Sequence, residues 1–307
     1  MKSLEHRGSI YAILSGLLYG FIGYFGMSAI NSGMSASTML FWRFLISSLA
    51  ILLVIIPNVN RLSDSRKHMR VAFVSGLIYY ASSTLLYFLA CNYISSGLAM
   101  VIFFTYPVMI MLLNYFFYGQ SIPGTYYLAT LIILFGMVLL VDVNEMAFDM
   151  SGIILGLVSA FFYACYLIVS KRNIISPNMS TLMVCLGCMT GCFLVSCFNH
   201  TLVLPQNLNI WINLAGIGLV ATVIPILFML HSLKYISSEK ASLLSVLEPV
   251  FVVIWGVLLL GETVKPLHAL GMVFILSGAV ITLFSHKMDL KAQLFRILRI
   301  KHLDPSA

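Results

Sequence analysis

A chain of 307 residues that is 61% hydrophobic and only 9% charged cannot keep most of its surface in water; soluble domains run at roughly half apolar and a quarter charged. A spanning helix takes about 20 mostly apolar residues, so this length holds roughly ten of them and leaves no room for a soluble domain. The net charge of +7 falls largely in short loops and at the chain ends, so a nucleic-acid partner is not needed to explain it.

In chain order, apolar runs fall at 9–30, 35–56, 69–91, 97–117 and 123–141, then at 151–170, 179–198, 209–233, 241–260 and 266–285. Turn-forming residues separate them: Asn31-Ser32-Gly33, Pro57-Asn58-Val59-Asn60, Gly119 to Pro123, Ser176-Pro177-Asn178 and Pro205-Gln206-Asn207. The first run follows Lys2 and Arg7 but is too long for a cleaved leader and has no small-residue cleavage site, so it stands as a helix. With the N-terminus in the cytoplasm, alternation puts Arg61, Arg66, Lys67, Arg70, Lys171, Arg172, Lys234, Lys240 and Lys287 on the cytoplasmic side and Lys265 outside. Asp142, Glu145 and Asp149 then occupy an outer loop. The expected fold is an all-α integral membrane protein of ten transmembrane helices with both termini cytoplasmic, housed in a bacterial inner membrane. After Lys287, Leu290, Leu294 and Ile297 alternate with Lys291, Arg296 and Arg299. Residues 287–307 therefore predict a basic amphipathic helix on the cytoplasmic lipid surface, a disordered tail being the alternative.

The chain repeats itself. Tyr93-Ile94-Ser95-Ser96 recurs as Tyr235-Ile236-Ser237-Ser238, and at the same offset Pro107-Val108 meets Pro249-Val250, Gly119 meets Gly261 and Gly136 meets Gly278. Gly8, Ser15 and Tyr19 meet Gly152, Ser159 and Tyr163 at a nearly equal offset. Residues 1–145 and 146–286 are thus expected to be two five-helix repeats; five being odd, the copies enter the membrane from opposite sides and are inverted.

Glu248-Pro249-Val250 followed by Gly261-Glu262, with Trp42-Arg43-Phe44 in the second helix, resembles the ten-helix EamA-like branch of the drug/metabolite transporter superfamily, from Gly8 to about Phe284. The first-half counterpart departs from the pattern, with Tyr106-Pro107-Val108 and Gly119-Gln120. The resemblance implies alternating-access transport of small polar metabolites, amino acids or related compounds, through a central cavity between the halves, with export as the expected direction. An importer of a nucleoside-like metabolite and a non-cycling scaffold or channel are the alternatives. An enzyme is not expected, since paired carboxylates, HExxH, GxSxG and phosphate-binding glycine loops are all missing from the sequence.

Arg43 and Glu248 are the charges well inside the predicted spans, both near the midplane, where each costs about 2.5–3.5 kcal/mol. Two readings stand. They form a structural ion pair between helices two and nine, or Glu248 couples protons or holds a substrate ammonium while Arg43 holds a carboxylate or gates. Pro107 and Pro249 break equivalent helices, either lining the substrate site or kinking for packing; Pro225 reads as packing alone. Tyr19, Tyr163, Tyr80, Tyr87, Phe103 and Tyr106 form a candidate lining, with Tyr79, Ser83 and Thr84 beside them and core packing as the alternative for each. Tyr106 takes the repeat position of Glu248. His231 and His268 belong at the interfaces, and Cys185, Cys188 and Cys192 are packing residues of one helix face, not metal ligands. No cofactor is expected; the partners are a small-molecule substrate, membrane lipid and a coupled proton. Gly16-x-x-x-Gly20, Gly152-x-x-x-Gly156 and Gly187-x-x-x-Gly191 mark close helix contacts, within one chain or between chains.

Overall fold

Apolar segments in lipid have no water to satisfy their N–H and C=O groups, which restricts them to helices or closed barrels. The computed structural model describes residues 2–22, 24–25, 34–57, 64–120, 122–141, 149–261 and 264–303, by backbone alone at 2–3, 260 and 285–303, and among these residues it is helical with no strand. Asn31-Ser32-Gly33, Asn58-Val59-Asn60, Arg61, Ser121, Asp142, Glu145 and Glu262 lie outside the described residues.

The helices are α1 (Lys2–Tyr19), α2 (Ala36–Ile55), α3 (Arg66–Val74), α4 (Ala81–Ala90), α5 (Ser96–Phe103), α6 (Tyr106–Tyr118) and α7 (Gly124–Leu140). They continue as α8 (Met150–Arg172), α9 (Pro177–Phe198), α10 (Leu208–Gly218), α11 (Ile224–Tyr235), α12 (Ser238–Ser245), α13 (Glu248–Leu260) and α14 (Pro266–Leu303). A π-helical turn at Ser75–Tyr80, π1, joins α3 to α4, and another at Leu219–Val223, π2, joins α10 to α11. Eight helices or end-to-end helix runs are long and apolar enough to cross a membrane, and α7 is a shorter apolar helix. α1 has 18 residues but includes Lys2, Glu5 and Arg7. Large apolar side chains such as Leu53, Phe117 and Phe198 stand 71%, 76% and 86% exposed, as a lipid-facing surface requires. The chain is therefore an integral, all-α, multi-pass membrane protein.

Local chemistry sets the helix ends. Ser35, Ser95, Ser176 and Ser237 cap the starts of α2, α5, α9 and α12, each accepting from the amide three residues on. Gly119 and Gly261 end α6 and α13 at φ of 60° and 68°, a left-handed conformation that a side chain resists. Outside the first and last helices, the ends agree with the sequence reading to within a turn; α1 ends at Tyr19, where the first run was expected to reach residue 30, and residues 26–30 lie outside the described residues. α1 begins at Lys2, before the apolar run, because its charged first turns need only solvent, and α14 continues unbroken from its apolar part to Leu303.

The tertiary contacts come in matched pairs. α1 lies on α11 and α12, and α8 lies on α4 and α5; α2 packs on π2, and α9 packs on π1. α2 also meets α9, and α7 meets α14. Glycine makes the closest seams. A Cβ on Gly187 would sit 2.2 Å from the Phe73 carbonyl oxygen, and one on Gly136 would sit 2.7 Å from that of Gly271. Gly16 and Gly20 press on Ser245 and Phe251, Gly152 and Gly156 on Ile94 and Ile102, and Gly187 and Gly191 on π1 and Ala81, so these contacts are made within one chain.

Candidate functional site

A cavity at the centre of the bundle is lined by Tyr19, Ile22, Arg43, Tyr80, Thr84, Tyr87, Phe88, Met100, Phe103, Phe104, Tyr106, Tyr163, Ser245 and Glu248. The structure thus brings Arg43, Glu248 and the predicted aromatic residues of α1, α4–α6, α8 and π1 around one space. Tyr79 and Ser83 are placed elsewhere: Tyr79 faces Phe162, with ring centroids 6.3 Å apart, and Ser83 accepts from Ser159 Oγ through its backbone carbonyl at 2.7 Å.

The cavity has a direction. The starts of α1, α3, α9 and α12 and the ends of α6, α8 and α11 share one face, which carries the basic loops: Ser176 N donates to Asp64 at 2.8 Å, and Arg172 lies 3.2 Å over the Tyr118 ring. From mid-bundle the lining runs through Thr84, Tyr87 and Phe88 of α4 to Met100 in the middle of α5, and so toward the opposite face. Toward the basic face it is sealed. The Tyr19 and Tyr80 hydroxyls lie 3.1 Å apart, Tyr80 stacks on Tyr166 at 4.8 Å, and the Tyr106 and Ser245 hydroxyls are 2.6 Å apart. Below them Asn114 donates to Glu239 and, at 3.1 Å, to Ser238. Lys240 then pairs with Glu5 at 2.6 Å, and Lys171 donates to the carbonyls of Leu233 and Ile236 at 2.5 and 2.8 Å.

Pro107 and Pro249 occupy the second positions of α6 and α13, and the breaks fall just before them, at Phe104–Thr105 and Val246–Leu247. Neither proline has an N–H for the carbonyl four residues earlier, Phe103 and Ser245, and both of those residues line the cavity. Gly16 allows α1 to approach the Ser245 carbonyl, where a Cβ would come to 2.8 Å.

Arg43 and Glu248 do not pair with each other. Arg43 is 2% exposed; its Nε donates to Thr222 Oγ1 at 2.5 Å and its Nη2 to the Ala221 carbonyl at 3.4 Å. Thr222 donates in turn to the Ile217 carbonyl at 2.6 Å, a five-residue reach that π2 permits. Pro225 stands four residues after Ala221 and has no N–H to offer its carbonyl, which accepts from the guanidinium. The Glu248 carboxylate is half-buried on the cavity wall and has no hydrogen-bond or ion-pair partner among the described residues. Sequence reasoning passed over Thr222 and Ser245. Ser245 had a signal, three residues before Glu248 on one helix face; Thr222 had only its place between Gly218 and Pro225.

Cys185, Cys188 and Cys192 are buried in α9, where Cys188 Sγ donates to the Gly76 carbonyl at 3.2 Å. His231 contacts the Leu227 carbonyl at 2.9 Å near the end of α11.

Comparison with known proteins agrees with this architecture. A solved crystal structure superposes with a TM-score of 0.80 at 17% identity, covering 92% of this chain and 98% of its own, a likeness of fold. "Uncharacterized transporter YdfC" of Bacillus subtilis is 25% identical over 261 residues, 84% of this chain and 85% of that protein. An "uncharacterized transporter" of Clostridium kluyveri is 22% identical over 299 residues, 93% of this chain and 96% of its own length. One of Archaeoglobus fulgidus is 26% identical over 277 residues, covering 89% and 95%. The model of the EamA-like transporter family, part of the drug/metabolite transporter superfamily, matches twice, over residues 6–142 and 150–284. Matched over nearly its whole length, the chain belongs to the EamA-like transporter family and is a membrane transporter, not an enzyme.

Proposed function

We propose that this protein is an alternating-access secondary transporter that exports small polar organic metabolites, amino acids or related compounds, across a bacterial inner membrane. The observation that carries the reading is a central cavity whose lining extends toward one face, is closed by side-chain contacts toward the basic face, and includes Glu248, which has no hydrogen-bond or ion-pair partner among the described residues. A carrier needs a site that reaches one side at a time, and a permanently open channel would lack the seal.

Counting α1 and α7 with the eight longer spans gives ten helices in this reading. Residues 1–145 and 146–286 are then inverted five-helix repeats, supported by the double family match and by the matched contacts of α2 on π2 and α9 on π1. The concentration of Lys and Arg at one face argues that this face, with both termini and the basic tail 287–307, is cytoplasmic. Glu248 is the proposed coupling group, loading a proton or a substrate ammonium in turn. The test is uptake into proteoliposomes of a labelled metabolite panel, with and without a proton gradient. Native protein gives saturable, gradient-stimulated uptake, and Glu248→Gln falls to the level of protein-free liposomes. Equal uptake by both proteins removes Glu248 from the mechanism, and no uptake of any compound overturns the carrier reading.

A further inference from the structure

The two charges of the cavity are not equally available to a ligand. Arg43 is 2% exposed, and its guanidinium already donates to Thr222 Oγ1 at 2.5 Å and the Ala221 carbonyl at 3.4 Å. Both acceptors are supplied by irregular backbone: Thr222 is aimed by its own bond to the Ile217 carbonyl at 2.6 Å, and Pro225 leaves Ala221 without its usual helical donor. Glu248 has no such engagement and lies on the wall of the same space. Around it Tyr87, Phe103, Tyr163 and Tyr106 form a chain of rings, with successive centroids 5.5, 5.2 and 4.8 Å apart. A carboxylate set among aromatic rings attracts an ammonium group by charge and by the ring quadrupoles. A ligand carboxylate, in contrast, meets as its one cation among the described lining residues the Arg43 guanidinium, which is already engaged through Nε and Nη2.

Taking the cavity as the transport site, we infer that it recognises its cargo through an amine, with Glu248 binding the ammonium against the aromatic wall, and that Thr222 and Pro225 act as positioning residues that hold Arg43 away from Glu248. The ligand class is a monocationic amine with a compact apolar body; a free carboxylate on the same molecule weakens binding by repulsion from Glu248. Were Arg43 released, it would pair with Glu248 and compete with the amine.

The experiment measures binding to the purified full-length protein in nanodiscs with four probes that share a benzene ring: phenethylamine, benzyltrimethylammonium, phenylalanine and phenylacetate. The two cations bind saturably, phenylalanine at least about tenfold more weakly than phenethylamine, and phenylacetate not at all, where tenfold corresponds to about 1.4 kcal/mol. Glu248→Gln removes cation binding. Thr222→Val weakens it, and the same substitution made on Arg43→Gln does not, a coupling that a general loss of folding would not produce. Phenylalanine or phenylacetate binding as tightly as phenethylamine overturns the proposal, as does failure of all four probes to bind protein that still melts cooperatively. Amine binding without transport in proteoliposomes leaves this inference standing and removes the carrier reading; transport of phenylalanine with no preference for amines does the reverse.

Discussion

At the scale of single residues, the glycines divide by what they prevent. Gly187 lets α9 lie on the backbone of α3 and π1: a Cβ there would be 2.2 Å from the Phe73 carbonyl oxygen and 2.7 Å from the Leu77 amide nitrogen, neither of which can swing aside. Gly119 meets nothing within 4 Å and is needed for its φ of 60°. Gly187→Ala is therefore expected to destabilise by about 1–3 kcal/mol through overpacking, and Gly119→Ala by about 1–2 kcal/mol through backbone strain. Thermal unfolding in detergent should lower the midpoint for both, whereas only Gly187→Ala should also loosen α9, read as faster thiol labelling of buried Cys188. Equal labelling of the two variants would mean that the α9 seam tolerates the added methyl.

Elements were legible where their signal is local. Ser95 and Ser237 announce α5 and α12 because a serine cap acts on the amide three residues away, and the apolar runs sit between such caps. The polar side chains at mid-span were legible for another reason: lipid tolerates so few that Arg43, Glu248 and the tyrosines stand out, and Arg43, Glu248, Tyr19, Tyr80, Tyr87, Tyr106 and Tyr163 converge on one cavity while Tyr79 turns to Phe162. π1 and π2 were not legible. A π turn exchanges a four-residue bond for a five-residue one when a neighbour presses in, and the neighbours here, α9 on π1 and α2 on π2, are remote in sequence. The breaks at Pro107 and Pro249 were legible because each proline removes a backbone donor; they fall as helix ends, since a proline starts a new helix more readily than it bends an old one. Thr222 as the partner of Arg43 depends on a contact across 179 residues that no periodicity reveals.

For the molecule as a whole, the seal at the basic face links distant parts of the chain: Glu5 of α1 to Lys240 of α12, Asn114 of α6 to Ser238 and Glu239, and Lys171 of α8 to the end of α11. If the cavity must open to both sides in turn, these links must part once per cycle. Cysteines replacing Glu5 and Lys240 and joined by a short thiol crosslinker should arrest transport while leaving a cysteine at Phe88 open to reagents from the opposite face, and transport should return when a cleavable linker is cut. Undiminished transport by the crosslinked protein would show that α1 and α12 move together.

The long reach from Arg43 to Thr222 also sets an order of events during synthesis. At about 5–20 residues per second, 179 residues take on the order of 10–35 s. For that interval α2 has left the ribosome carrying a cation whose acceptors do not yet exist. The nascent chain must wait beside the insertion machinery or in the company of water until α10, π2 and α11 arrive. Ribosome-bound chains ending before Thr222 should therefore crosslink to the translocon through α2 for longer than the same chains with Arg43→Leu, and that difference should vanish once the chain extends past α11.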